Sequence, residues 1–182
     1  MVKEYLKNNY HLSNYQIAQI AFLLKTILSE SSKILFMGIL FHSRIKLYLF
    51  ALFIMLFLRC TTGGLHFYSY AGCLAASVLY LWIAIYCLPC IPVPFYIQVI
   101  LLPFCALFCC LLGPAASRYR SDDCIQCYKK CRRIIVIFLF FYTAALCFIS
   151  PAPYLTAGFW VIILHTLQLA AARIQKKGRF KK

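Results

Sequence analysis

Acidic residues are nearly missing from this chain: Glu4, Glu30, Asp122 and Asp123 are all that its 182 residues contain. A carboxylate to complete a catalytic triad is therefore not evident, and any nucleophile has to work within a dyad. Charge of either sign is scarce, at 13%, where a soluble domain carries about 25%. Hydrophobic residues reach 64% and aromatic residues 17%. One globular core cannot hide that excess, so lipid has to solvate it. No strand alternation or internal repeat competes with helices, and no ATP-binding signature supports active transport. Residues 1–33 lack the short apolar core and small-residue cleavage site of a secretory leader.

The charge that is present is almost all positive, at +15. It is gathered at Lys3 and Lys7, at Arg118, Arg120, Lys129, Lys130, Arg132 and Arg133, and in the tail from Arg173 to Lys182. Each cluster abuts an apolar run, as in the cytoplasmic loops of membrane proteins. Contact with anionic lipid accounts for these clusters, and no polar domain is left to bind nucleic acid. The expectation is one membrane-embedded domain over residues 1–182, with a basic cytoplasmic tail at 173–182.

Ile17, Ile20, Ala21, Leu24, Ile27 and Leu28 follow the spacing of an amphipathic helix. Apolar residues 34–41, a polar knot at His42-Ser43-Arg44-Ile45-Lys46 and apolar residues 47–58 come next. Clearer segments span 73–88, 95–112, 134–149 and 154–172, with proline-rich joints at 89–94 and 151–153 and basic joints elsewhere. Residues 16–58 read either as a surface helix plus one kinked span or as two antiparallel helices turning at 42–46. Placing every basic cluster on one side requires an even number of crossings before Arg59 and so favours two. The fold class is thus an all-α, polytopic membrane helical bundle. It has about six membrane segments, the first partly interfacial, and both termini are cytoplasmic. Some segments are short, since sixteen residues rise only about 24 Å against a hydrocarbon core of about 30 Å.

The run R-C-T-T-G-G-L-H-F-Y-S-Y-A-G-C, residues 59–73, lies between two apolar stretches and holds His66 and Cys73. On one unbroken helix these two would stand about 10.5 Å apart along the axis, too far to touch. Gly63 and Gly64 suggest a loop, which lets His66 fold back over Cys73 at the start of the next helix. A helix N-terminus, the imidazole and the cation at Arg59 would then favour a thiolate, while burial in lipid opposes it. Backbone donors of the Gly63-Gly64 turn are candidates for binding an oxyanion. With 11 cysteines in the chain, chance proximity of a cysteine to a histidine is the competing account.

Arg59, four residues, Gly64, one residue, His66, six residues and Cys73 together resemble the signature of the accessory gene regulator B (AgrB) family. The amphipathic start, the loop opening Gly113-Pro114, its basic end and the length extend the resemblance over most of residues 15–175. Members are membrane cysteine endopeptidases that process quorum-sensing propeptides. The resemblance implies Cys73 as nucleophile, His66 as general base, and Arg59 and Gly64 at positions needed for activity. Leu65 and Phe67 depart from the family's usual Tyr and small residue, which bears on substrate preference. It further implies a short propeptide partner with an amphipathic N-terminal helix and an acidic C-terminal part, a homodimer, and no cofactor. Lys129, Lys130, Arg132 and Arg133 would dock the acidic part.

Three other groupings remain. Cys87 and Cys90 form a C-x-x-C that suits a disulfide or a thiol–disulfide oxidoreductase. Cys124, Cys127 and Cys131 share a helical face, with no fourth metal ligand in view. Asp122 or Asp123 suits a helix cap, His165, Gln168 and His42 suit hydrogen bonds to neighbouring helices, and Pro103 suits a kink. A non-enzymatic peptide exporter or adaptor, whose cysteines merely pack, is the third functional reading.

Overall fold

A computed structural model describes residues 13–64, 69–113, 125–149 and 152–179, without the side chains of 125–128 and 175–179. Among these residues the secondary structure is helical, in six α-helices and short tighter or wider turns. The chain divides into two compact units, Met1–His42 and Ser43–Lys182.

The first unit is built on α1, Asn14–Leu40. Ser13 opens it with a reciprocal cap: its hydroxyl accepts from the Gln16 backbone N–H at 3.2 Å, and the Gln16 side chain accepts from the Ser13 N–H at 2.9 Å. Helix α1 presents many exposed apolar side chains, among them Phe22, Leu23, Leu28, Leu35 and Ile39. Polar residues interrupt them, and α1 is not one of the five helices long and apolar enough to cross a membrane. Those five run His42–Thr62, Tyr70–Cys90, Phe95–Leu112, Lys129–Phe148 and Pro153–Ile174. The polar knot does break the helix, because a tight turn at His42–Arg44 separates α1 from α2, Ile45–Thr62.

The second unit continues with α3, Tyr70–Trp82, which widens into a π turn at Ile83–Cys87 and closes in a tight turn at Leu88–Cys90. Pro92 and Pro94 prevent further helix, and α4 follows at Phe95–Leu112 with Pro103 inside it. Then come α5, Ile125–Phe148, and α6, Pro153–Arg179. Proline at the first position of α6 fits, since that residue's N–H would have no helical partner.

Cross-helix contacts fix the directions. Ser43 meets Tyr86 at 3.1 Å and Arg59 meets Ser77 at 3.5 Å, so α3 runs antiparallel to α2. Phe50 meets Tyr154 and, further along both helices, Thr62 meets His165, so α6 runs parallel to α2. Cys109 approaches Thr166, giving α4 the direction of α6, and the Tyr142 hydroxyl donates to the Leu155 carbonyl at 2.6 Å, reversing α5. One end of this unit therefore gathers the end of α2, the start of α3, the end of α4, the start of α5 and the end of α6.

Helix α6 is the most enclosed span and α4 the least. The broadest contact is between α2 and α6, where Phe50 meets Tyr154 edge to face and Ile54 lies against Gly158. Gly158 permits that approach. A Cβ there would collide with the Tyr142 hydroxyl and lie 2.6 Å from Ile54 Cδ1. On α4, Tyr96, Ile100, Phe104, Leu107 and Leu111 form an exposed apolar stripe at helical spacing, as expected of a lipid-facing side.

Candidate functional site

Helix α2 ends because Gly63 takes φ 78° and ψ −153°, a region open essentially to glycine alone. Its N–H donates to the Arg59 carbonyl at 2.9 Å and caps the helix. That bond commits Gly63's donor, so of the two glycine donors expected for an oxyanion only Gly64's lies outside the helix. Gly64 is less confined, since a Cβ there would meet Gln168 Oε1 at 3.7 Å and Arg59 Cγ at 3.9 Å.

Helix α3 starts at Ser69, whose hydroxyl accepts from the Gly72 N–H at 3.1 Å and whose carbonyl accepts from the Cys73 N–H at 3.0 Å. Cys73 thus occupies the first turn of α3, as the sequence leads one to expect. It is half-buried and not in a disulfide. A first turn carries the positive end of the helix dipole, which stabilises negative charge on a nearby sulfur.

Arg59 leans onto the same helix. Its Nη1 donates to Ser77 Oγ at 3.5 Å, and Ser77 stands one turn beyond Cys73 on the same face. The cation and the thiol therefore share one side of α3. Arg59 Nε and Gln168 Oε1 are buried without hydrogen-bond partners among the described residues.

His66 lies in residues 65–68, outside the described residues, as do Asp122, Asp123 and Cys124. Lys129, Lys130, Arg132 and Arg133 are exposed at the start of α5, hence at the same end of the unit as Cys73. Cys87 and Cys90 sit at the opposite end, exposed and not joined to each other, with the Cys90 thiol donating to the Tyr86 carbonyl at 3.1 Å. Among the described residues no group of three or more His, Cys, Asp or Glu is placed to hold a metal.

Three contributors escaped the sequence reading: Ser69, Thr62 and Ser77. Ser69 had a signal, a serine directly before an apolar helical run. Thr62 and Ser77 had none, because their partners lie in other helices. His165 does bond a neighbouring helix as expected, through Thr62. His42 bonds locally instead: its Nδ1 pairs with the Ile39 carbonyl at the end of α1 at 3.1 Å, and it is Ser43 and Arg44 that reach α3's continuation.

The sequence profile of the accessory gene regulator B family matches residues 1–169. A protein of Clostridium beijerinckii named as a putative AgrB-like protein is 40% identical over 79 residues. That stretch is 42% of this chain and 40% of the relative, so the chain spans well under two thirds of the relative's length. No solved structure matches significantly.

Proposed function

This chain belongs to the accessory gene regulator B family, and from that premise we propose that it is a membrane cysteine endopeptidase. Its substrate is a short quorum-sensing propeptide, which it cleaves and helps to close into a ring. The observation that carries the reading is the environment of Cys73: a thiol in the first turn of a capped helix, on the face that Arg59 reaches through Ser77.

In the first step the Cys73 thiolate attacks a peptide carbonyl of the propeptide. The C–N bond breaks, and His66 protonates the departing amine as the C-terminal part leaves. The N-terminal part stays on Cys73 as a thioester. A cysteine or serine within that part then attacks the thioester carbonyl and releases the Cys73 thiol and a thiolactone or lactone ring. Exchange of one thioester for another is nearly isoenergetic, so exclusion of water decides between ring and hydrolysis. Opening an amide to form a thioester is uphill, so removal of the cleaved tail pulls the sequence forward. The chain's few acids leave the chemistry to a Cys73–His66 dyad.

The charge pattern supports a topology with both termini and the Cys73 end of the second unit in the cytoplasm. Lys129, Lys130, Arg132 and Arg133 are exposed at that end and suit an acidic C-terminal part of the propeptide. An amphipathic N-terminal helix of the propeptide would lie in the bilayer surface.

The test is co-expression with a propeptide of this kind and mass spectrometry of the products. Cys73→Ala and His66→Ala should each abolish the cleaved and cyclic species, whereas Cys87→Ser with Cys90→Ser should not. Dependence on Cys87 and Cys90 instead would turn the reading into thiol–disulfide exchange.

A further inference from the structure

Helix α6 reaches the end of α2 on both sides of Gly63. On one side the Thr62 hydroxyl lies 2.7 Å from the Leu58 carbonyl and 2.6 Å from His165 Nε2. The hydroxyl has a single proton, and the carbonyl can only accept. With that proton given to Leu58, the imidazole contact has Nε2–H donating to Thr62 Oγ1. Nδ1 is then the ring's acceptor, and it is buried without a partner among the described residues. On the other side Gln168, three residues along α6, sets its side-chain oxygen against Gly64.

His165 is fully buried. A side-chain hydrogen bond between membrane helices contributes only about 0.6 kcal/mol, while an unsatisfied buried acceptor costs about 1–3 kcal/mol. Stability is thus a poor account of an imidazole at this place. What the bond does is hold the last residue of α2 against α6, immediately before the chain turns at Gly63. Residues 65–68 then have to join Gly64 to Ser69, which is itself fixed as the cap of α3. His165 thus holds one of the two described ends, at Gly64 and Ser69, that flank the segment carrying His66.

We propose that His165 is a positioning residue of the peptidase site, holding the Thr62–Gly64 end of the hinge against α6 and so in register with the helix that carries Cys73. The inference rests on the peptidase reading and assigns α6 a part in it.

The test reads Cys73 directly. The full chain in phosphatidylcholine–phosphatidylglycerol nanodiscs is alkylated with iodoacetamide across a pH series. The rate at Cys73 is followed by mass spectrometry of its peptide, because Cys60, Cys87, Cys90 and Cys147 are exposed as well. His66→Ala is the reference and should slow alkylation at pH 7 by about tenfold, the effect of one unit in thiol acidity. His165→Leu and Thr62→Val should each reproduce most of that loss, and Thr62→Ser should restore the rate. Adding His165→Leu to His66→Ala should change nothing further. An unchanged Cys73 profile in His165→Leu, with only a lower melting temperature, makes the bond mere helix packing and overturns the proposal. Should His165→Leu not fold, Thr62→Val decides by the same criterion. If His66→Ala leaves the profile unmoved, the dyad itself fails and the inference goes with it; if only His165→Leu and Thr62→Val leave it unmoved, the dyad stands and the inference alone is lost.

Discussion

The two ends of the second unit treat their polar groups in opposite ways. At the Ser43 end the groups pair with one another. The Ser43 hydroxyl meets the Tyr86 hydroxyl at 3.1 Å, Arg44 donates to the Ile85 carbonyl at 3.4 Å, and its guanidinium lies 4.7 Å from the Tyr86 ring centroid. Gln98 closes the proline-rich turn by donating to the Val93 carbonyl at 2.9 Å. At the Cys73 end Arg59 Nε, Gln168 Oε1 and His165 Nδ1 are buried without partners among the described residues, with Trp160 Nε1 a further such atom nearer mid-span. Folded proteins leave few buried polar atoms unsatisfied, and those they leave need a reason. Among the described residues, one end pairs its polar groups, and the end that carries Cys73 leaves three buried polar atoms open.

The contrast is broken most sharply at the cysteines. Cys73→Ala should lower propeptide cleavage by about 10³-fold or more, while Cys87→Ser with Cys90→Ser should change it less than about twofold. Comparable losses from both pairs would erase the distinction between the ends. Glycines sharpen it next. Gly63→Ala has to adopt a conformation that costs about 1–3 kcal/mol, so its unfolding midpoint should fall. Gly64→Ala meets only ordinary contacts and should stay within about 0.5 kcal/mol of the parent. If Gly64→Ala nonetheless loses activity, the glycine serves substrate approach and not the fold.

Charge reversal gives a smaller effect. Lys129→Glu with Lys130→Glu should raise KM about tenfold at low salt, and the difference should shrink as salt screens it. The smallest change is expected at the opposite end. Ser43→Ala removes one hydrogen bond worth about 0.6 kcal/mol and should lower thermal stability slightly with cleavage rates unaltered.

Much of this architecture is legible in the chain. The apolar run 95–112 is α4 residue for residue, because Pro94 and Gly113 bracket it. The knot at 42–46 breaks the helix as its polarity suggests, and Cys73 falls in a first helical turn as the glycines upstream imply. Five helices qualify as spans where about six segments were expected, since Gln16, Gln19, Lys25, Glu30 and Lys33 dilute α1. Other features leave no local trace. The π turn at Ile83–Cys87 has the composition of any apolar helix. Gly158 reads as an ordinary glycine until Tyr142 and Ile54 close over it. Ser77 and Thr62 become site residues only through Arg59 and His165, partners distant in sequence.

The Thr62–His165 bond joins residues 103 positions apart, and this bears on how the protein is made. As the ribosome delivers the chain, Cys73 and its cap enter the bilayer well before α6 exists. The end of α2 then has no imidazole to hold it, and the broad face that later meets α6 is still open to lipid. A nascent chain halted before α6 would carry the thiol without the Thr62–His165 bond, so the hinge acquires this anchor only once α6 has been made.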